Sequence, residues 1–358
     1  MAKSVYIHIP FCKQKCKYCS FVSFPCTEKI VGYVLSLLKE IDTNYNGEEL
    51  KTLYFGGGTP SLLDIQYLKK IINKFNLATD CEITLEMNPD DASIEYLSVL
   101  REVGVNRLSI GSQTFDDNVL KTIGRRHNSA QIFEAINLAK QAGFDNISLD
   151  LIYGLPNANI TKDLEIIVQL GVQHISTYGL KIEDDSYWGK NPPETIPDDD
   201  AQADMYLEVN NFLESNGYKR YEVSNFARVG YEAKHNLNYW NNQEYYGFGV
   251  SAHGYIDGVR YFNYSTLEEY MNNPSVHANG HIQSNQEKLE EEIFLGFRKE
   301  AGIKTEQIKN KFGIDFEEKY KNVLNRFIPD YIEKTSEGYK LTLKGVLLSN
   351  NILAEFLD

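Results

Sequence analysis

The chain has 358 residues, enough for one large domain and a smaller one, and 42% of its residues are hydrophobic, which is ordinary for a globular protein. The formal net charge of -14 argues against nucleic acid as a general partner, because an acidic surface repels the phosphate backbone. No apolar run approaches the roughly 20 residues that span a bilayer, and the first residues lack the layout of a signal peptide, so the sequence predicts a cytoplasmic, non-transmembrane protein.

The first half of the chain alternates short apolar strands with amphipathic helices. This alternation predicts an α/β fold with a parallel sheet, and six strand–helix units favour a partial (β/α)6 barrel over a doubly wound sheet. In both architectures, ligands bind at the carboxyl ends of the strands. The predicted strands are 5–9, 52–55, 82–86, 107–110, 147–151 and 174–178, and the predicted helices between them are 30–41, 65–75, 94–103, 130–141 and 164–170.

The second half of the chain has a different composition. Residues 189–200 are acidic and contain prolines, which is typical of a linker or lid, and residues 221–255 are crowded with Tyr, Asn and Gly, as in a loop-rich ligand surface. Helical patterns from Leu289 onward, followed by two short strand patterns, predict a small α+β ending similar to a winged helix. We therefore expect three parts: a barrel over 1–188, a linker and loop-rich segment over 189–285, and a small domain over 286–358.

Three cysteines follow the first predicted strand with the spacing C-x3-C-x2-C: Cys12, Cys16 and Cys19. A four-iron cluster held by three thiolates leaves one iron open, and the amino and carboxylate groups of S-adenosylmethionine (SAM) can chelate that iron. A zinc site is the alternative, but it requires a second ligand pair that the sequence does not contain. Cys26 and Cys81 fall outside the spacing, and we expect neither to bind the cluster.

Together with GGGTP at residues 56–60, the cysteine motif resembles the radical SAM superfamily over about residues 4–260. The resemblance implies a [4Fe-4S] cluster, SAM as a second cofactor, and a protein that donates electrons to the cluster. It places Tyr18 against the adenine and the glycine-rich segment near the methionine amino group, where glycine lets the backbone approach a ligand. The SAM-site residues that it implies are Tyr6, Tyr18, Gly57, Gly58, Thr59, Glu86, Gln113, Arg125, Asp150 and Gly179.

Physical chemistry supports several of these assignments. A carboxylate such as Glu86 can accept both ribose hydroxyls, and the guanidinium of Arg125 can pair with the methionine carboxylate. Each residue also has a structural alternative: Glu86 and Asp150 could cap helices, and Arg125 could belong to a surface ion pair. Their common position at the ends of successive predicted strands favours the ligand site.

Further sequence strings narrow the resemblance, and it then extends over nearly the whole chain. The strings are YIHIPFC at 6–12, YFGGGTPSLL at 54–63, EMNP at 86–89, RLSIGSQTF at 107–115, IGRRH at 123–127, DLIYGLP at 150–156 and HNLNYW at 235–240. They resemble the oxygen-independent coproporphyrinogen III dehydrogenases and, more closely, the paralogous HemW family of heme chaperones. Phe21 stands where the dehydrogenases have a fourth cysteine, and the first strand begins near residue 4, whereas the dehydrogenases carry a long preceding extension.

HNLNYW matches the H-N-x-x-Y-W motif of the chaperone family. The resemblance implies that His235 ligates heme iron and that Tyr239 and Trp240 lie against the porphyrin. The alternative for His235 is a loop histidine bonded to backbone, because isolated histidines are usually structural. Three other histidines are weaker candidates for a heme ligand: His127, His174 and His253. We expect His253 to lie close to the SAM pocket instead.

The resemblance thus predicts a heme chaperone that transfers heme to an unidentified acceptor protein, with the cluster and SAM in a supporting role. No catalytic residue is assigned, and we expect no coproporphyrinogen III dehydrogenase activity because of Phe21. The alternative function is that of the paralogue, radical SAM oxidative decarboxylation of coproporphyrinogen III in heme biosynthesis.

Overall fold

The computed structural model describes residues 1–357, and its centre is a nine-stranded sheet. In spatial order its strands are Lys219–Arg220, Asn225–Ala227, His174–Gly179, Ile147–Tyr153, Arg107–Gln113, Leu77–Met87, Leu50–Gly57, Ser4–Ile9 and Tyr246–Phe248. The first six strands pair in parallel and in chain order, which confirms the predicted partial barrel. Their bounds are β1 Ser4–Ile9, β2 Leu50–Gly57, β3 Leu77–Met87, β4 Arg107–Gln113, β5 Ile147–Tyr153 and β6 His174–Gly179.

Helices connect these strands and cover the outside of the sheet. They are α1 Ile30–Asn44, α2 Ile65–Ile72, α3 Ile94–Glu102, α4 Asp117–Ile123, α5 Ser129–Gln141 and α6 Ile160–Leu170. Side chains alternate between the two faces of each strand. On β2, Leu53 and Phe55 are fully buried in the apolar layer beneath the helices. Thr52 and Tyr54 face the opposite way, so the interior of the barrel is polar and can hold a ligand.

The segment predicted as linker and loop extends the barrel sheet at both edges. One short strand pairs antiparallel with β6, a second pairs antiparallel with that short strand, and a third pairs parallel with β1. The bounds are α7 Tyr187–Lys190, α8 Asp199–Ser215, β7 Lys219–Arg220, β8 Asn225–Ala227, α9 Lys234–Trp240 and β9 Tyr246–Phe248. The stretch between α7 and α8 has no regular structure, as the acidic composition of residues 189–200 suggests.

A small antiparallel sheet then leads to the C-terminal part of the chain. The connecting elements are β10 His253–Ile256, β11 Val259–Phe262, α10 Leu267–Asn272 and β12 Asn279–Ile282. The C-terminal elements are α11 Asn285–Gly296, β13 Ile303–Lys304, α12 Thr305–Phe312, α13 Phe316–Lys319, α14 Lys321–Phe327, β14 Ile332–Lys334, β15 Gly338–Leu341, α15 Leu343–Leu347 and α16 Ser349–Ala354. This confirms a smaller α+β ending with its own antiparallel sheet.

A second apolar core holds the C-terminal elements together. It includes Phe316 and Phe356, and Tyr206 of α8 joins it from the barrel side, so the ending is docked on the barrel. The division of the chain at 188/189 and 285/286 stays a prediction. None of the helices within residues 1–357 is long and apolar enough to cross a membrane.

Candidate cofactor site

A cavity of about 390 Å3 opens at the carboxyl ends of the barrel strands. Its size falls in the range of roughly 300–1,000 Å3 that is typical of small-molecule sites. Cys12, Cys16 and Cys19 line it, together with every residue predicted for SAM except Tyr6. The fold therefore brings the polar groups at the ends of successive strands together in one cavity, as the sequence predicts.

Backbone hydrogen bonds position the cysteine loop on one wall of this cavity. Cys12 N–H donates to Phe24 O over 3.2 Å, and Cys19 N–H donates to Cys16 O over 3.2 Å. The Cys12 sulfur lies 3.4 Å from Thr59 Oγ1, beyond the end of β2, so the loop and the glycine-rich segment meet. Burial raises the pKa of Cys19 to about 11, and bound iron has to favour its thiolate over the thiol.

The three thiols on this wall are the kind of ligand that holds an iron–sulfur cluster. Within residues 1–357, no three His, Cys, Asp or Glu side chains lie close enough together to hold one metal ion. A four-iron cluster is larger and holds its thiolates further apart than one ion does. Cys26, which is partly exposed, and Cys81, which is buried on β3, do not line the cavity.

Glu86 lies near the end of β3, and each of its carboxylate oxygens accepts a hydrogen bond. The Tyr54 hydroxyl donates to Oε1 over 2.7 Å, and the backbone N–H of Gly57 donates to Oε2 over 3.2 Å. Desolvation inside the barrel raises the pKa of Glu86 to about 7. Gly57 has φ 116°, and a Cβ there would lie 2.7 Å from His8 Cε1, so only glycine fits.

Asp150 and Arg125 complete the polar lining. Burial raises the pKa of Asp150 to about 6, and Ser109 Oγ donates to its carboxylate over 3.3 Å. Arg125 Nη2 donates to Asn88 Oδ1 and to Gly111 O, both over 2.6 Å. Its Nη1 donates to the Cys16 sulfur over 3.6 Å. Asp150 and Glu86 lie within strands and Arg125 lines a cavity, so neither helix capping nor a surface ion pair describes them.

Several lining residues were not singled out from the sequence. Asn88 follows Glu86 in the string EMNP, and Ser109 and Gly111 lie on the inward face of β4. The signal that identifies them is the alternation of side chains along strands whose ends already carry predicted ligands. Gln113, which was predicted, ends β4 with φ 70°, a left-handed conformation that few residues other than glycine adopt.

Four further residues from the sequence analysis differ in whether they line the cavity. Phe21 lines the cavity and is 69% exposed. Tyr6 does not line the cavity, and its hydroxyl lies 2.9 Å from His8 Nδ1 within the barrel. His127 lines the cavity, and burial lowers its pKa to about 3. His253 is exposed on β10 and does not line the cavity, contrary to the expectation that it would lie close to the SAM pocket.

The segment HNLNYW forms helix α9, which the composition had suggested would be a loop. His235 is 1% exposed, and its Nδ1 and Nε2 lie 2.7 Å from Thr52 Oγ1 and 2.8 Å from Tyr239 Oη. Its ring stacks on Tyr54 with centroids 5.0 Å apart and planes at 23°. Burial lowers the pKa of His235 to about 3. The imidazole is thus neutral and fully engaged within the protein.

Helix α9 closes the end of the barrel opposite the cavity. The backbone N–H groups of Lys234 and His235 each donate to a Glu82 carboxylate oxygen over 3.1 Å. Glu82 pairs in register with Thr52, and both lie four or more residues before the cavity-lining Glu86 and Gly57. His174 has a comparable place, with its ring nitrogens 2.7 Å from Ser148 Oγ and 2.8 Å from Tyr221 Oη.

Comparisons with known proteins show which families the chain is similar to. The family model "Radical SAM superfamily" matches residues 6–170, and the model "HemN C-terminal domain" matches residues 283–348. The superfamily implies a [4Fe-4S] cluster and SAM. The solved structure of coproporphyrinogen III oxidase (HemN) from Escherichia coli has a TM-score of 0.86 with this chain at 24% identity, covering 99% of this chain and 89% of that one, which is a likeness of fold.

Similarity of sequence is greater to proteins named heme chaperone HemW. The HemW of Lactococcus lactis subsp. lactis is 38% identical, over 99% of this chain and 97% of that protein. The HemW of Bacillus subtilis is 36% identical, over 99% of both. Because identity at this level extends over the barrel and the C-terminal part alike, the chain belongs to the HemW family of heme chaperones, within the radical SAM superfamily.

Proposed function

We propose that this protein is a cytoplasmic heme carrier that binds heme and passes it to an acceptor protein. The observation that carries the proposal is the similarity to heme chaperones over 99% of the chain. The presence of H-N-x-x-Y-W in helix α9 supports it. The carrier also requires an electron donor for its cluster, so two protein partners are implied.

The strand-end cavity is proposed as the site of both cofactors. Cys12, Cys16 and Cys19 hold the [4Fe-4S] cluster, and SAM binds against Tyr18, Gly57, Gly58, Thr59, Glu86, Gln113, Arg125, Asp150 and Gly179, with Tyr6 behind this lining. When bound, the cluster supplies the electron that can cleave a carbon–sulfur bond of SAM. The carboxylates of Glu86 and Asp150 are suited to accept hydrogen bonds from sugar hydroxyls, because both residues line the cavity from the inward face of the barrel. Arg125 brings a cation to the sulfur of Cys16, where a methionine carboxylate can pair with it.

Heme is proposed to bind through the aromatic segment of α9, with His235 as the iron ligand and Tyr239 and Trp240 against the porphyrin. Both ring nitrogens of His235 have partners in the closed barrel. Iron ligation therefore requires α9 to withdraw from the barrel end. The pKa of the freed imidazole would return towards its usual value of about 6.5, and heme binding would then weaken as pH falls below that value.

Oxidative decarboxylation of coproporphyrinogen III is the second candidate. The likeness of fold to HemN over 99% of the chain favours it. Phe21, which stands where the dehydrogenases have a fourth cysteine and is 69% exposed, argues against it.

An anaerobic assay separates the two functions. The reconstituted protein is incubated with coproporphyrinogen III, SAM and a reductant, and the porphyrins are separated after oxidation. We expect no decarboxylated product, together with hemin binding in a parallel titration. Robust formation of protoporphyrinogen would refute the carrier proposal in favour of the enzyme.

A further inference from the structure

The inward face of β2 runs through the barrel from α9 to the cofactor cavity. Thr52 contacts His235 at one end, with Oγ1 2.7 Å from Nδ1. Two residues further on, Tyr54 reaches both ends at once. Its ring stacks on His235 at a centroid distance of 5.0 Å, and its hydroxyl donates to Glu86 Oε1 over 2.7 Å. One side chain thus joins the proposed heme ligand to the proposed ribose ligand.

The next inward position on β2 is kept free of a side chain. A Cβ on Gly56 would lie 2.9 Å from Tyr54 Cε1 and 3.1 Å from Glu86 Oε1. Both separations are shorter than ordinary van der Waals contact. The absence of a side chain at Gly56 therefore gives Tyr54 the room to reach the carboxylate. The hydrogen bond between Tyr54 and Glu86 thus depends on glycine at position 56.

We propose that Tyr54 is a positioning residue through which SAM occupancy controls the release of α9; this rests on the proposed binding of SAM and heme. Ribose hydroxyls that donate to Glu86 compete with the Tyr54 hydroxyl for the same oxygen. A hydroxyl that loses its partner inside the barrel is destabilised, and the ring moves away from His235. Helix α9 then retains its bonds to Glu82 and Thr52 but loses its stacking partner. SAM and heme each favour the other's binding, because coupling between two sites is reciprocal.

Hemin affinity measured with and without SAM tests this coupling in the anaerobically reconstituted protein. In the wild type, SAM should tighten hemin binding at least about fivefold, the lower end of typical couplings between sites. In Tyr54→Phe the ring remains but the hydroxyl is lost, so the ratio of the two affinities should fall to about one. Tyr270→Phe is the matched control: it removes a hydroxyl that also donates to a buried carboxylate, that of Glu40, outside the barrel. Its ratio should equal that of the wild type.

Amide hydrogen exchange over residues 234–240 provides a readout that needs no heme. SAM should speed exchange in the wild type and in Tyr270→Phe, and should leave the exchange of Tyr54→Phe unchanged. Exchange that SAM does not alter in the wild type, or that it alters equally in Tyr54→Phe, would overturn the coupling. Failure of the wild type to bind hemin would refute the carrier function, while the exchange experiment would still decide the link between SAM and α9.

Discussion

The three cysteines after β1 are free thiols that line one cavity. Replacing Cys12, Cys16 and Cys19 together with Ala should abolish the brown chromophore and the bound iron after anaerobic reconstitution, because no other thiols line this wall. Absorbance and iron content measure the result. The matched control is Cys26→Ala, which should keep its full cluster. Retention of a full cluster in the triple variant would show that the ligands lie elsewhere.

Arg125 is the cation next to both the cysteine loop and the polar strand ends. Arg125→Ala should weaken SAM binding by about 1.5–3 kcal/mol, the usual contribution of a hydrogen bond to a charged group. Isothermal calorimetry on the reconstituted protein measures this loss. Arg101→Ala serves as the control, because it removes a guanidinium that donates to Val105 O away from the cavity. Equal SAM affinity in Arg125→Ala and the wild type would reject the assigned role.

Side chains whose positions follow from the alternation along a strand could be predicted from the sequence, and side chains whose positions depend on distant contacts could not. Glu86 and Asp150 could be predicted, because parallel strands bring their carboxyl ends to one mouth. The surroundings of His235 could not be predicted, because its partner Thr52 is 183 residues earlier in the chain. Composition alone indicated a loop for a segment whose helix is held by the carboxylate of Glu82.

At the scale of elements, the six barrel strands could be predicted because each is a run of alternating or apolar residues. Strands β7, β8 and β9 could not, since each has only two or three residues and forms by pairing with a strand that is distant in sequence or itself short. The position of β9 beside β1 also depends on a buried carboxylate. Glu40 of α1 accepts hydrogen bonds from Gly249 N–H and from Asn263 Nδ2, and so fastens the chain after β9 to the barrel.

Glu40 should make the stability of the protein depend on pH. Burial raises its pKa from 4.5 to about 7. The folded chain therefore binds this proton more tightly than the unfolded chain, and the resulting stabilisation is complete below about pH 4.5 and is lost as pH rises through 7. In the wild type, the free energy of unfolding should therefore fall by up to about 3 kcal/mol across this pH range because of Glu40. In Glu40→Gln this part of the fall should be absent. Urea unfolding at pH 5 and pH 8 measures it.

The control for this prediction is a carboxylate that is exposed on the surface. Glu95 lies in the first turn of α3 and belongs to no buried cluster. Glu95→Gln should leave the difference between the two pH values as it is in the wild type. The same pH dependence in Glu40→Gln and the wild type would mean that Glu40 is ionised throughout, and that its three donors outweigh its desolvation.

On the scale of the whole molecule, the two ends of the barrel carry different features. The cavity with the cysteines opens at the carboxyl ends of the strands, and α9 closes the amino ends. The C-terminal part packs against α8 through Tyr206 and leaves the cofactor cavity free. The proposed cofactor cavity and the H-N-x-x-Y-W segment therefore lie at opposite ends of the barrel.

The central claim is that the protein carries heme through α9. It is tested most directly by a hemin titration at neutral pH, followed in the Soret region, with the wild type, His235→Ala and His174→Ala. His174 is the matched control, because it is a buried imidazole with the same kinds of hydroxyl partners but lies outside the motif. We predict a saturable Soret band in the wild type and in His174→Ala, and a shifted or absent band in His235→Ala with the cluster intact. A wild type that gives no saturable Soret band, or a His235→Ala variant whose band is unaltered, would contradict the account.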